Sequence, residues 1–291
     1  MTETLDSLLA SGRQFIVPGA YDALSAKIAA RAGAPIVYMT GFGVVGASFA
    51  VPDIGLIGPE QMTERVRAIA AACAPVALLA DGDNGHGGPN NVARLVRAYE
   101  QAGAQGIQLE DQVSPKRCGH MDGKEVVPLA DAVAKIRAAV AERGSRAFKI
   151  MARTDACSTH GFGEALRRAH AFADAGADIL FVEAPRSEDE LARVPKEFAD
   201  IATLANMVED GKTPLLPAAA LFAMGYRFVL RPISALLAAE HALERVYSDL
   251  LANREPPKDA RASFPHHNEI VGLDDLRCFD RTCAANATTQ E

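Results

Sequence analysis

Residues 114–124 read SPKRCGHMDGK, a thiol set among Lys116, Arg117 and His120 and bracketed by Gly119 and Gly123. The stretch is too short and too polar for a core helix or a central strand. Cationic neighbours lower a thiol's pKa when they are close in space. That would suit Cys118 to give or take a proton near neutral pH, or to act as a nucleophile. The plainer alternative is an inert thiol in a basic surface loop. A second group of polar residues stands at the ends of short apolar runs: Tyr38, Thr40 and Gly41; Asp81 and Asp83; Glu110 and Asp111; Arg153, Thr154 and Asp155; Glu183; Asn206; Arg231. Clustered carboxylates repel one another unless a positive charge lies between them. Asp81, Asp83 and Glu110 suit a hard divalent cation, Mg²⁺ or in its place Mn²⁺, with water and substrate completing an all-oxygen shell. Alternatively, one or two of these acids pair with Arg153 or Lys116 as structural ion pairs. Residues two apart on a strand share a face, so Asp81 and Asp83 converge if the strand runs that far.

The elements that must position these residues alternate regularly. Eight apolar runs, 15–19, 35–41, 75–83, 106–112, 148–156, 178–184, 202–208 and 227–234, are each followed by a helical pattern. The runs are short and almost continuously apolar, as strands buried on both faces are. Gly33, Gly103, Gly144, Gly176 and Gly225 stand where helices close, and left-handed caps are predicted there. Eight such units in about 240 residues predict a (β/α)₈ barrel spanning residues 1–253. An open doubly wound sheet fits less well, because VPGAYDAL after the first strand lacks the glycine-rich phosphate loop. In a barrel, the strand ends collected above share one mouth.

Residues 254–291 break the pattern. Pro256 and Pro257 stop the last helix, and a short polar extension follows, predicted to cover the barrel or a neighbouring subunit and to end in disorder. With a net charge of −7 and no long basic run, nucleic acid is a poor partner. No apolar run reaches membrane-spanning length, and the N-terminus lacks a basic then apolar leader. Five widely spread cysteines fit a reducing cytoplasm better than a disulfide scaffold. Cys278 and Cys283 have no partner pair for zinc, and His266 and His267 read as surface residues.

GIQLEDQVSPKRCGH (106–120), IMARTDA (150–156), residues 19–55 and ANMVEDGKTPLL (205–216) together resemble the isocitrate lyase and phosphoenolpyruvate mutase superfamily. The Lys-Arg-Cys-Gly-His loop resembles its carbon–carbon lyase branch, and the resemblance runs from about residue 12 to 252. It implies a (β/α)₈ barrel whose last helix is exchanged between subunits of a dimer or tetramer. It also implies Mg²⁺ held by Asp81, Asp83 and Glu110 directly or through water. Thr40, Gly41, Phe42 and Arg153 then bind an α-oxygenated carboxylate, Asp53 supports them, and Glu183 and Asn206 line the pocket. Cys118 becomes the catalytic acid or base on a mobile lid with Lys116, Arg117, Gly119 and His120. The activity implied is cleavage of a 2-hydroxy dicarboxylate, of the 2-alkylmalate type, to an α-keto acid such as pyruvate and a second carboxylic acid. Tyr38 is a candidate to take the hydroxyl proton. Met121 and Val208 resemble the 2-alkylmalate-cleaving subgroup more than methylisocitrate lyases. Alternatives are an oxaloacetate hydrolase or decarboxylase, a (2-methyl)isocitrate lyase, and a non-catalytic small-acid binder. Asn84, His86 and Arg231 depart from the family pattern. His86 is expected to pack behind the site. Arg231 is expected to bind a distal carboxylate or to pair with Glu183.

Overall fold

Period-two alternation sorts the strand residues into two layers. Phe15, Val17, Ile36, Tyr38, Leu79, Met151, Phe181, Leu204, Phe228 and Leu230 form one buried cluster inside a ring of strands. Their neighbours Val37, Met39, Leu78, Ala80, Ile107, Leu109, Ile150, Leu180, Val182 and Val229 form the second, packed against helices. Burial on both faces is why these runs read as continuously apolar. The computed structural model describes residues 3–119 and 123–288. His120 and Met121 lie outside the described residues.

The strands are β1 (Phe15–Ala20), β2 (Ile36–Met39), β3 (Ala77–Asp81), β4 (Gly106–Glu110), β5 (Lys149–Thr154), β6 (Ile179–Val182), β7 (Ala202–Asn206) and β8 (Phe228–Arg231). They are parallel, run in sequence order and close with β8 on β1. All eight predicted strands are present; β1 runs one residue past its apolar run, and each of the other seven ends two or three residues short of its own. The helix after each strand is present too. The short helix Leu5–Ala10 was not anticipated; Leu5 abuts Gly106, the first residue of β4, so this helix closes the N-terminal end of the barrel. The helix Gly41–Phe49, directly after β2, was also missed, because its glycines argue against a helix by propensity. Gly33, Gly103, Gly176 and Gly225 take positive φ as expected. Gly144 does not: the preceding helix ends in extended backbone at Arg143, and the Gly144 N–H is capped by Glu100 Oε2 at 2.8 Å.

Two compact units divide the chain at Leu236, Met1–Leu236 and Leu237–Glu291. The helix Ser234–Leu251, reckoned with the barrel from sequence, therefore falls almost wholly in the second unit. That unit also holds the helices Phe264–Ile270 and Leu273–Thr288, more regular structure than its polar sequence suggested. It carries exposed apolar side chains at Tyr247, Leu251, Phe264, Leu276 and Phe279. Among the described residues no helix is long and apolar enough to cross a membrane.

Candidate active site

The inward layer of each strand continues past its C-terminal end as polar residues. Tyr38, Asp81, Gln108, Glu110, Arg153, Glu183 and Asn206 share the alternation of the inward apolar residues below them, and all but Gln108 line one cavity of about 240 Å³. Thr40, Phe42 and Asp53, from the helix and loop that follow β2, also line it. Lys116, Arg117, Cys118 and Gly119 form a lid, and Val208, Pro232 and Ile233 add apolar surface.

Each side chain is held by neighbours. Thr40 caps the helix Gly41–Phe49, its Oγ1 accepting from the Gly43 N–H at 3.3 Å. The Gly41 N–H donates to Asp81 Oδ2 at 3.2 Å, and a Cβ on Gly41 would lie 2.7 Å from that oxygen, so only glycine permits the approach. β3 stops at Asp81, and Asp83 stands in a left-handed turn (φ 50°) beyond it, buried against Lys116 behind the cavity and not on its wall. The Asp83 N–H donates to Asp81 Oδ1 at 3.1 Å, and the Glu110 N–H to the Asp83 carbonyl at 2.9 Å. Arg153 lies over the Phe181 ring and is fixed by Asp155 at 2.9 and 3.0 Å, Glu183 at 3.2 Å and Glu110 at 3.4 Å. Asn206 Nδ2 donates to Glu183 Oε2 at 3.1 Å.

The lid is seated. Lys116 is buried and bridges Asp53 Oδ1 at 2.5 Å and Asp83 Oδ1 at 2.7 Å. The Cys118 N–H donates to the Asp53 carbonyl at 3.1 Å. Gln112 grips Arg117 by its backbone N–H (2.9 Å) and carbonyl (2.8 Å). Lys124 Nζ donates to the Gly119 carbonyl and to Asp155 Oδ1, the latter at 2.8 Å. Asn84 donates to Ser114 Oγ at 2.8 Å at the base of the loop. Cys118 itself is half-buried on the cavity wall, and none of the five cysteines is in a disulfide.

Desolvation dominates the electrostatics. Burial, then the charge of Asp83, pushes the Asp81 carboxyl up to about 6. Burial raises Glu110 well above the usual carboxylate range, with Arg153 opposing. For Lys116 burial works toward neutrality, but Asp83, Asp53, Glu110 and Asp81 together hold the ammonium well above its ordinary pKa. Asp155 is also pressed upward by burial, yet Arg153 and Lys124 outweigh it and keep the carboxyl below its usual value. Burial and the charge of Asp81 raise the Tyr38 phenol well above 10. That argues against Tyr38 as the base for a substrate hydroxyl, because such a phenol stays protonated at neutral pH.

Among the described residues no three acid, histidine or cysteine side chains form a ready metal cage. The donor set still fits a hard cation. Glu110 Oε1 is buried without a hydrogen-bond partner, and Glu110 is near enough to Asp81 to feel its charge. Mg²⁺ ordinarily takes one or two carboxylates and fills its shell with water and ligand oxygens.

Two sequence assignments lie elsewhere. Arg231 is not on the cavity wall. On β8 it shares the outward alternation of Val229, and its Nη2 donates to the Leu216 carbonyl at 2.9 Å. Asp111, grouped with the mouth acids, faces the helix layer and accepts from Thr154 (2.7 Å), the Asp155 N–H (2.9 Å) and Arg168 (3.1 Å). His86 packs behind Asp83, Nε2 to Oδ2 at 3.7 Å, and burial lowers its pKa. Gln108 and Lys124 were passed over in sequence, and Asp155, collected at the end of the fifth run, was given no role. Gln108 had a signal, a polar side chain at an inward position of an otherwise apolar strand.

Fold and site together define a barrel enzyme with an acid-lined cavity roofed by a thiol-bearing lid. Residues 5–251 match the model of the family described as phosphoenolpyruvate phosphomutase, and the chain belongs to that family within the PEP mutase/isocitrate lyase superfamily. It is 43% identical over 272 residues to 2,3-dimethylmalate lyase of Eubacterium barkeri, covering 93% of each chain. It superposes on an oxaloacetate acetylhydrolase solved with the inhibitor 3,3-difluorooxalacetate at a TM-score of 0.92, with 34% identity over 96% of each chain. A phosphonopyruvate hydrolase solved with oxalate and Mg²⁺ aligns at a TM-score of 0.84, with 30% identity over 95% of this chain and 96% of that one.

Proposed function

We propose that this enzyme is a Mg²⁺-dependent carbon–carbon lyase that cleaves a 2-hydroxy dicarboxylate of the 2-alkylmalate type to an α-keto acid and a second carboxylic acid. The observation that carries the reading is one cavity holding Arg153, Asp81, Glu110 and the lid thiol Cys118 together. Asp81, Asp83 and Glu110 would hold the cation. When bound, it supplies positive charge to the α-oxygenated carboxylate end of the substrate. Arg153, preset by Asp155 and Glu183, and the backbone around Thr40 and Gly41 orient that end. The hydroxyl proton passes to a buried carboxylate of the cavity wall. As the C2–C3 bond breaks, its electron pair stays on C3 beside the second carboxylate, and C2 becomes a carbonyl. Lys116 and Arg117 place positive charge near that carbanion, and Cys118 delivers the proton that quenches it. The seated lid excludes water that would compete for the role.

Support comes also from the 43% identity to a 2,3-dimethylmalate lyase. Asp83 pairs with Lys116 and Glu110 Oε2 with Arg153, as the structural alternative anticipated, but Glu110 Oε1 is left for a cation. The exposed apolar side chains of the C-terminal unit support a homo-oligomer, and a cytoplasmic setting suits the five thiols. The test is a panel of 2-alkylmalates, 2-methylisocitrate and oxaloacetate with Mg²⁺. Pyruvate release from a 2-alkylmalate is expected. Acetate and oxalate from oxaloacetate, with no cleavage of any 2-hydroxy acid, would make the enzyme a hydrolase instead.

A further inference from the structure

We propose that Gln108 is a positioning residue that fixes the direction of the Tyr38 hydroxyl, and that this makes the cavity favour a 2-hydroxy acid over its 2-oxo counterpart. Gln108 is fully buried in the middle of β4, pointing into the barrel below the cavity wall. Its Nε2 donates to Asp81 Oδ1 at 3.0 Å, and its Oε1 accepts from the Tyr38 hydroxyl at 2.7 Å.

The polarity of this chain is set from the backbone upward. Asp81 Oδ1 also accepts from the Asp83 N–H, and Oδ2 from the Gly41 N–H. A backbone N–H donates and cannot reverse, so both carboxylate oxygens are acceptors and the glutamine must turn its NH₂ toward Asp81. Its carbonyl oxygen then faces Tyr38. An amide oxygen only accepts, so the single phenol proton is committed to Gln108. Tyr38 lines the cavity, and what its oxygen can still offer a ligand is a lone pair. A substrate hydroxyl can donate to that lone pair. A keto oxygen in the same place brings acceptor against acceptor, an unmade hydrogen bond in a desolvated site. An amide carries a donor at one end and an acceptor at the other, which leucine or lysine does not.

The inference rests on the reading that the cavity binds an acid oxygenated at C2 with that oxygen beside Tyr38. It adds a consequence: cleavage turns the C2 hydroxyl into a carbonyl, so the contact made with substrate is lost with product, and release of the α-keto acid is favoured.

Lactate and pyruvate test it, because neither carries the second carboxylate needed for cleavage. Their affinities are measured by calorimetry with saturating Mg²⁺. Wild type is expected to bind lactate about tenfold more tightly than pyruvate, the size of one hydrogen bond made or missed. In Gln108→Leu the phenol is released to turn and donate, and the ratio should fall to about one. Gln108→His, whose neutral ring keeps a donor at one nitrogen and an acceptor at the other, should restore the preference. Should the leucine variant not fold, Tyr38→Phe carries the same expectation of a ratio near one. A wild-type ratio near one, or a preference retained in Gln108→Leu or Tyr38→Phe, overturns the role of Gln108 and leaves the lyase reading standing. Binding of neither acid to wild type overturns the reading of the cavity, and this inference with it.

Discussion

Replacing Gly119 by alanine should unseat the lid without unfolding the barrel. A Cβ at this position would lie 2.2 Å from Arg153 Nη2 and 2.9 Å from Glu183 Cδ. Long side chains can often swing away from such a clash. Arg153 cannot, because Asp155 holds it at two points, Glu183 and Glu110 flank it, and Phe181 lies beneath it. The lid must therefore lift, by about 1 Å for an ordinary contact, and a misplacement of that size costs on the order of 100-fold in rate. Cys118 is the neighbouring residue, so the proposed proton donor moves with the clash. Gly119 is not at a positive φ, so the effect is the methyl group and not backbone strain. The assay is pyruvate release followed by a coupled dehydrogenase, beside thermal unfolding with the midpoint expected within about 2 °C of the parent. A variant with near-parental kcat would refute the seated lid as the catalytic arrangement. A collapsed midpoint would mean that Gly119 serves the fold instead.

Cys118→Ala should lose at least about 100-fold in cleavage, the usual worth of a positioned proton donor, while Mg²⁺-dependent binding of a 2-hydroxy acid stays within a few-fold; near-normal turnover would remove the thiol from the mechanism. Asp83→Ala should weaken both activity and the rise in melting temperature caused by Mg²⁺, and wild-type activity undiminished by chelator would sink the metal assignment. Burial raises Asp81 to about 6, so the folded carboxyl keeps its proton to higher pH than the unfolded one, and its contribution to metal-free stability is lost as pH rises through that value. Metal needs the carboxylate, so the Mg²⁺-induced thermal shift should be large at pH 7.5 and small at pH 5; equal shifts would contradict this. Asp155 is held below its usual pKa, so its stabilisation is present above the unfolded value and lost in acid. Asp155→Asn strips a charged partner from both Arg153 and Lys124 and should cost about 3–5 kcal/mol in urea unfolding, whereas a loss under about 1 kcal/mol would show that the network re-forms without it.

Much of the site is visible in the chain because strand alternation is local. Each apolar run announces its inward layer, and extending that period of two by one step picks out Asp81, Glu110, Arg153, Glu183 and Asn206. Applied to β8, the same rule places Leu230 inside and Arg231 outside, so the error over Arg231 was correctable from sequence. Asp111 follows Glu110 and falls outside for the same reason. Asp83 obeys no such rule: its convergence with Asp81 depends on a left-handed turn, which an aspartate only sometimes adopts. The helix Gly41–Phe49 was hidden because packing and a Thr40 cap overrode poor propensity.

What the sequence by itself determined is the eightfold alternation, the closed barrel it requires, the acids and arginine at the mouth, and a thiol on a cationic loop. Those are consequences of periods of two and 3.6 residues and of residue chemistry. The tertiary structure alone decided which of them touch. Lys116 finds Asp53 across 63 residues, and Gln108 joins Tyr38 to Asp81 across three neighbouring strands. Such contacts depend on register, here Asp81 beside Gln108 and Glu110 beside Arg153, and on where the lid comes to rest. Register is fixed by the closure of the whole barrel, a condition that no single segment carries.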